Sequence, residues 1–426
     1  MNPKKFARKV LPASGIKTAE ETYRKSRIRA MQIRYGYPAR DLQVIAVTGT
    51  NGKTTTCMLI NAMLKSAGYK TAMFTTASVE VAGVSELNTR HTTVPKTADL
   101  LHFLKRAKDS QVDYVVLEVT SHALHQHKVL DIPVEVAVLT NISQDHLDYH
   151  GSMEEYVAMK ARLFNGYMQP MYCVLNRDDA KYNYFAKQSV GLVNGYGVKR
   201  DADVVLSGVE PNVSGTNMSL RVDGKKSACN LKLIGDFNAY NAAAAAGAGA
   251  VLGLSAADIT KGLASLDQVP GRMQIVDAKT DYTVLVDYAV TSDALEKSLQ
   301  SVQALAEKRV LLVFGATGDR DTDKRPKMGK VAAELADKIF LTDDETYTED
   351  PANIRRDVMK GIKQGKGAKK TTEIADRKKA IEAALKEAKP GDVVLCTGIG
   401  HQDTRNMGGK LVKWDEVAVI KKALKK

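Results

Sequence analysis

Apolar residues along this chain fall in short runs rich in valine and isoleucine, separated by stretches with helical spacing. The first run, Val44-Ile45-Ala46-Val47-Thr48, meets a glycine-rich turn and then a helical pattern from Thr54 to Ser66 that ends at Gly68. Tyr114–Val119, Val134–Thr140 and Met171–Leu175 have the same character. A strand that is apolar at every position has both faces covered, so these runs predict a mostly parallel sheet between helices. Residues 190–232 read differently: short runs such as Met218–Val222 lie between turn signals and predict a small antiparallel insert. The alanine-rich stretch Asn241–Leu252 is a predicted helix. Beyond Pro270-Gly271, Val284–Val286, Val310–Phe314, Ile339–Thr342 and Val393–Cys396 predict a second, Rossmann-like α/β unit of doubly wound type. The expected organisation is an N-terminal arm over 1–41, a central unit over 42–269 and a C-terminal unit over 270–426.

Composition adjusts this picture little. A chain of 426 residues is too long for one ordinary core. It contains no apolar run of the roughly 18 residues that a membrane span requires, and no continuous apolar stretch follows its start, so neither a span nor a signal peptide is expected. The four cysteines, Cys57, Cys173, Cys229 and Cys396, lie far apart, which argues against a zinc ribbon or a disulfide framework and fits a reducing cytoplasm. The formal charge is +13, and residues 1–41, with 11 Lys/Arg against 3 Asp/Glu, carry +8 of it. A solvated basic helix is the plain account of the arm. The sharper accounts are peripheral contact with an anionic membrane surface, or an anionic substrate. No nucleic-acid motif accompanies the charge, so no nucleic-acid partner is expected.

The chemistry begins at Gly49-Thr50-Asn51-Gly52-Lys53-Thr54-Thr55, between a predicted strand and a predicted helix. Glycines let backbone amides approach phosphates, the helix N-terminus adds partial positive charge, and a lysine can reach the terminal phosphates. The Thr54 hydroxyl suits Mg²⁺. The strict phosphate-loop pattern would place glycine at position 47, where this chain has Val47. The fold expectation is therefore α/β: a central P-loop-containing parallel-sheet ATPase domain followed by the Rossmann-like one.

The wider string from Val47 to Thr56 resembles the ATP loop of the Mur ligase family. Four further segments keep that family's order: Glu118-Val119-Thr120-Ser121-His122, Thr140 to Asp148, Gly235-Asp236-Phe237-Asn238 with Asn241, and Gly271-Arg272-Met273. The Asp319-Arg320-Asp321 to Lys324-Arg325-Pro326 segment resembles the tripeptide-synthetase branch, which adds the third residue of the peptidoglycan stem peptide. The resemblance covers roughly residues 42–420.

Read bare, Glu118 ends a strand, His146 caps a turn and Lys160 is an exposed helical lysine. The resemblance implies more. It makes Lys53, Lys160 and His146 catalytic, and it places Thr54, Glu118, His146 and Lys160 around Mg²⁺, with Lys160 carbamylated by CO₂. It sets Asn176, Asp179, Asn238, Asn241, Arg272 and Asp287 around ATP. Thr92, Thr93, Thr120, Ser121 and Lys128 match segments that hold a muramoyl-peptide-type acceptor, while Arg320, Asp344, Glu345, Tyr347, Gly398 and Gln402 match the amino-acid pocket. The implied activity is ATP-dependent amide formation through an acyl-phosphate, by a cytoplasmic monomer serving peptidoglycan biosynthesis.

Departures from the family pattern shape the expectation. Only about 40 residues precede the loop, where branch members carry a domain that holds the uridine nucleotide. Lys128 stands where the family usually has Arg, and lacks the planar fork. Members specific for meso-diaminopimelate carry Asp-Asn-Pro-Arg where this chain has Asp344-Glu345-Thr346-Tyr347; Val290 and Gln402 also depart. Tyrosine cannot replace a guanidinium against a carboxylate, and Asp343, Asp344 and Glu345 make the segment acidic, so a basic amino acid such as lysine or ornithine is expected. The rival activities are a folylpolyglutamate or poly-γ-glutamate synthetase and a non-catalytic nucleotide-binding regulator.

Overall fold

The computed structural model describes residues 13–88, 96–277 and 279–425. Two large sheets carry the fold. In the first, a parallel core is formed by β1 (Gln43–Thr48), β2 (Thr71–Phe74), β5 (Tyr114–Glu118), β6 (Val136–Leu139), β7 (Tyr172–Asn176), β8 (Leu192–Gly197) and β9 (Val204–Asn212). Antiparallel strands extend both edges: β3 (Ser78–Val81) and β4 (Val84–Leu87) beyond β2, β10 (Gly215–Val222) and β11 (Lys225–Leu231) beyond β9. The order is β11-β10-β9-β8-β7-β6-β1-β5-β2-β3-β4. The antiparallel segment expected from residues 190–232 is present from β9 onward. It is the continuation of the main sheet rather than a separate insert, because β8 joins β7 and β9 in parallel.

The apolar runs explain the layering. Along β1, Ile45 and Val47 enter one core while Val44 and Ala46 enter another on the opposite face. On one side the small side chains of the helix Asp236–Val251 pack against the helix Lys53–Ser66 and the sheet. The second sheet repeats the logic with β12 (Gln274–Ile275), β13 (Thr283–Asp287), β14 (Val310–Phe314), β15 (Lys338–Leu341), β16 (Thr371–Glu373) and β17 (Val393–Thr397), ordered β12-β13-β17-β14-β15-β16. All its pairs are parallel except β12–β13, and Leu312 and Phe314 face one core while Leu311 and Val313 face the other.

The helix Ala13–Arg34 carries six Lys/Arg and two Glu and is part of the packed fold. Ile28 is buried, Gln32 donates to the Leu130 carbonyl at 3.0 Å, and Arg29 pairs with Asp131 at 3.4 Å. Glu21 lies 3.4 Å from both His127 and Arg162. Arg29, Gln32 and Glu21 therefore hold the helix to the 127–131 turn and to Arg162. Among the described residues, no helix is long and apolar enough to cross a membrane.

Candidate active site

Parallel register brings the chemistry to one edge. Val47 of β1 lies opposite Glu118 of β5, and Thr48 opposite Leu139 of β6, so the phosphate loop, Glu118 and Thr140 all emerge at the C-terminal ends of the strands. In open α/β sheets this is where ligands bind. The edge borders a cavity of about 1180 Å³, whose other wall comes from the second sheet and the helices beside it.

The phosphate loop is held in shape by its neighbour Asn141. Gly52 caps the helix Lys53–Ser66 in the left-handed region, at φ 82°. The Asn141 carbonyl accepts from Thr50 N–H at 2.8 Å and the Asn141 side chain from Asn51 N–H at 3.0 Å. Lys53 folds back onto the Thr50 carbonyl at 2.7 Å, a bond that terminal phosphate oxygens would replace. Thr54 donates to Glu118 Oε2 at 2.9 Å, and the same oxygen accepts from Thr76 N–H at 2.8 Å. Thr50, Asn51, Gly52, Thr55, Thr120, Lys128, His146, Asn176, Asp179, Asn241, Arg272 and Asp287 all line the cavity, as do Arg320, Glu345, Tyr347, Gly398 and Gln402.

Several sequence candidates stand behind the wall instead. Gly49 gives its carbonyl to the buried Lys160 amine at 2.7 Å, and Lys160 is 2% exposed. Burial, and then the Lys53 charge, push the Lys160 pKa well below the usual lysine range. The bare expectation of an exposed helical lysine is thus corrected: the first residues of the helix Met153–Ala161 face solvent, but Lys160 turns under the phosphate loop. Asn238 donates to the Ile234 carbonyl and accepts from Asn241, so it braces the cavity wall from within. The Ser121 hydroxyl is held by His150 at 2.9 Å and is buried. Thr92 and Thr93 lie outside the described residues.

The acidic segment also needs correction. Asp343 pairs with Arg355. Asp344 is buried: a Cβ on Gly398 would meet its Oδ2, its carboxyl is pushed up by burial, and Arg377 and Arg405 oppose that shift. Only Glu345 of the three lines the cavity, since Arg355 draws Asp343 away and Asp344 is enclosed beneath Gly398. Arg320 lies over the Tyr347 ring at 5.1 Å.

Metal ligation is only partly assembled. His146 is beside Asp145 at 3.4 Å and its ring contacts His122 at 4.7 Å. Among the described residues no group of three or more His, Cys, Asp or Glu is placed to hold an ion. The Thr54 hydroxyl and Glu118 carboxylate do form a hard-oxygen pair at the loop, which is the donor chemistry Mg²⁺ takes.

Among the cavity residues that escaped the sequence are three charged groups from the second unit. Lys324, where burial lowers the pKa while Asp145, Asp344 and Asp321 oppose it, is a half-buried lysine from the second unit. Asp293 and Lys297 lie on the helix Ser292–Gln303. Lys324 stands in a quoted segment, but nothing local shows that it faces a residue as distant as Asp145.

A phosphate loop at the edge of a parallel sheet, facing cations from a second α/β unit across one cavity, defines a nucleotide-dependent enzyme that acts between two units. Residues 47–249 match the Mur ligase middle domain and residues 271–400 the Mur ligase glutamate ligase domain. The chain is 39% identical over 397 residues to a UDP-N-acetylmuramoyl-L-alanyl-D-glutamate–2,6-diaminopimelate ligase of Geobacillus kaustophilus, covering 92% of this chain and 80% of that one. The protein of the same name from a Nostoc species is 39% identical over 386 residues, 90% of this chain and 77% of its own. A solved structure of such a ligase aligns with TM-score 0.65 at 31% identity, over 93% of this chain and 81% of that one. Folylpolyglutamate synthase of Mycobacterium tuberculosis, complexed with ADP, shares the fold at TM-score 0.72 and 20% identity, covering 88% of this chain and 91% of its own. The chain belongs to the Mur ligase family, and it is an ATP-dependent, ADP-forming ligase.

Proposed function

We propose that this ligase joins an amino acid carrying a second amino group to the carboxylate of a muramoyl-dipeptide-type acceptor. The observation that carries the reading is the meeting, on one cavity, of the phosphate loop with Arg320, Lys324 and Glu345 of the second unit. The relatives' shared activity supports the acceptor class.

In this reading the acceptor carboxylate attacks the γ-phosphorus of ATP, forming an acyl-phosphate and releasing ADP. The amine of the incoming amino acid then attacks the acyl carbon, phosphate leaves, and the amine loses a proton as the amide forms. Lys53 exchanges the Thr50 carbonyl for the terminal phosphate oxygens and offsets their charge. Thr54 and Glu118 would hold Mg²⁺, which would supply further neutralisation of the triphosphate. Thr120 and Lys128, on the acceptor side of the cavity, orient the muramoyl-peptide, with Lys128 facing its carboxylates. The helix-borne wall of the second unit keeps water from the acyl-phosphate.

Two finer assignments belong to this reading. Burial pushes the Lys160 pKa well down and so favours the neutral amine, which can add to CO₂ and lose a proton to give a carbamate anion under the loop. Intact-protein mass measured under native conditions with and without ¹³C-bicarbonate should show the label at Lys160; its absence there removes the assignment. For the amino acid, Glu345 faces the distal ammonium and Tyr347 offers no guanidinium for a second carboxylate, which favours lysine or ornithine over meso-diaminopimelate. ADP release measured across a panel of amino acids with muramoyl-dipeptide acceptors tests both levels. Faster turnover with meso-diaminopimelate than with lysine overturns the preference, and turnover with a folate acceptor alone overturns the acceptor class.

A further inference from the structure

Asp293 stands in the first turn of the helix Ser292–Gln303, where the second unit borders the cavity. Its Oδ2 accepts two hydrogen bonds from the first unit, from Asn51 Nδ2 at 2.6 Å and from Ser143 Oγ at 3.1 Å. Lys297 completes the cluster at 3.2 Å. Ser143 is itself tied to the phosphate loop, since its N–H donates to Thr50 Oγ1 at 2.9 Å and its carbonyl accepts from that hydroxyl at 3.1 Å. The same helix touches the first unit again near its far end, where Ser301 Oγ lies 3.4 Å from Asp236 Oδ1. Between these points Ser298 donates to Asp287 Oδ2 at 2.6 Å. A helix rises about 1.5 Å per residue, so the two outer contacts lie about 12 Å apart on one rigid rod.

Local causes explain an acid at this position, because the helix dipole and Lys297 both favour one. They do not explain why two donors from another unit converge on a single carboxylate oxygen. We propose that Asp293 is a positioning residue for the ligation reaction, docking the second unit on the phosphate loop so that the cavity wall carrying Arg320 and Lys324 faces the phosphoryl group. This rests on the ligase reading above. A small misplacement of reacting groups is costly in rate without being costly in nucleotide affinity, and this gives the role a signature.

The test compares Asp293→Ala, Asp293→Asn, Ser143→Ala and the double variant Asp293→Ala/Ser143→Ala in the full chain, with turnover and with binding of a non-hydrolysable ATP analogue. Asp293→Ala should lower kcat about tenfold or more while the analogue's Kd stays within about twofold. Asp293→Asn keeps an oxygen facing both donors and should recover most of the rate. Ser143→Ala should lower kcat with analogue affinity intact, and the double variant should lose no more than Asp293→Ala alone, since the two side chains share one interaction. Unchanged kcat in Asp293→Ala, parallel loss of kcat and affinity, or no recovery in Asp293→Asn each overturns the proposal. If Asp293→Ala fails to fold, Asp293→Asn and Ser143→Ala decide it by the same split: Ser143→Ala with unchanged kcat overturns it. An inactive wild-type enzyme with every substrate pair would count against the ligase reading instead.

Discussion

Gly52→Ala perturbs the nucleotide cradle where the loop enters its helix. Gly52 holds φ 82° and ψ −7° as the residue capping the helix Lys53–Ser66. An alanine there enters the left-handed region at a cost of about 1 kcal/mol relative to glycine. Its Cβ would lie 2.1 Å from Asn241 Oδ1, far inside contact distance. Asn241 cannot simply rotate, because its Nδ2 donates to Asn238 Oδ1 at 3.0 Å and Asn238 in turn donates to the Ile234 carbonyl at 2.8 Å. Breaking the first of these bonds costs about 1 kcal/mol more. The native loop is then disfavoured by about 2 kcal/mol, which corresponds to a loss of ATP affinity of about 30-fold if binding requires that loop. Titration calorimetry with a non-hydrolysable ATP analogue measures it directly. Gly68→Ala is the control: Gly68 also has positive φ, at 92°, but nothing lies within 4 Å of its added Cβ, so it should lower stability without touching ATP affinity. Wild-type affinity in Gly52→Ala would refute the assignment of this loop as the nucleotide cradle.

Glu416→Ala leaves the Arg377 guanidinium buried and unpaired, since both side chains are 0% exposed, and should destabilise the second unit by about 3–5 kcal/mol in chemical denaturation. His127 carries a pH signature. Burial holds its imidazole down, at about 4, with Arg162 and Lys25 adding repulsion, Glu21 opposing and Tyr167 hydrogen-bonded to it. Its unfolded pKa is near 6.5, so between these values the unfolded chain binds the extra proton; the stability from this site is full above about pH 6.5 and falls as pH drops toward 4, by up to about 3 kcal/mol. His127→Gln should flatten that part of the denaturation-midpoint profile, and an unchanged slope would show that other groups set it. Glu345→Gln should raise KM for lysine about tenfold or more with ATP affinity unchanged, if the carboxylate faces the distal ammonium; an unchanged KM removes Glu345 from the pocket.

The strand runs and the loop were legible for a simple reason: both are local. Val44 to Val47 are apolar at each position because the strand has a core on each face, and Gly49 and Gly52 both take positive φ, a backbone demand that a glycine signals by itself. The same locality misled where neighbours in sequence part company in space. Asp343, Asp344 and Glu345 read as one acidic patch, yet one pairs with Arg355, one is buried beneath Gly398 and one reaches the cavity. Likewise the arm's composition showed a basic helix, but not that Arg29 meets Asp131 or that Glu21 lies between His127 and Arg162.

By itself, then, the sequence determined the α/β layering, the phosphate cradle and the family, because periodicity, turn chemistry and ordered motifs are written along the backbone. Only the tertiary structure decided that Lys160 lies buried under Gly49 and that Lys324 and Asp293 complete a cavity begun more than 240 residues earlier at Asn51. Those facts depend on desolvation and on the register of one unit against another. Neither quantity belongs to a residue until distant segments exclude water from around it.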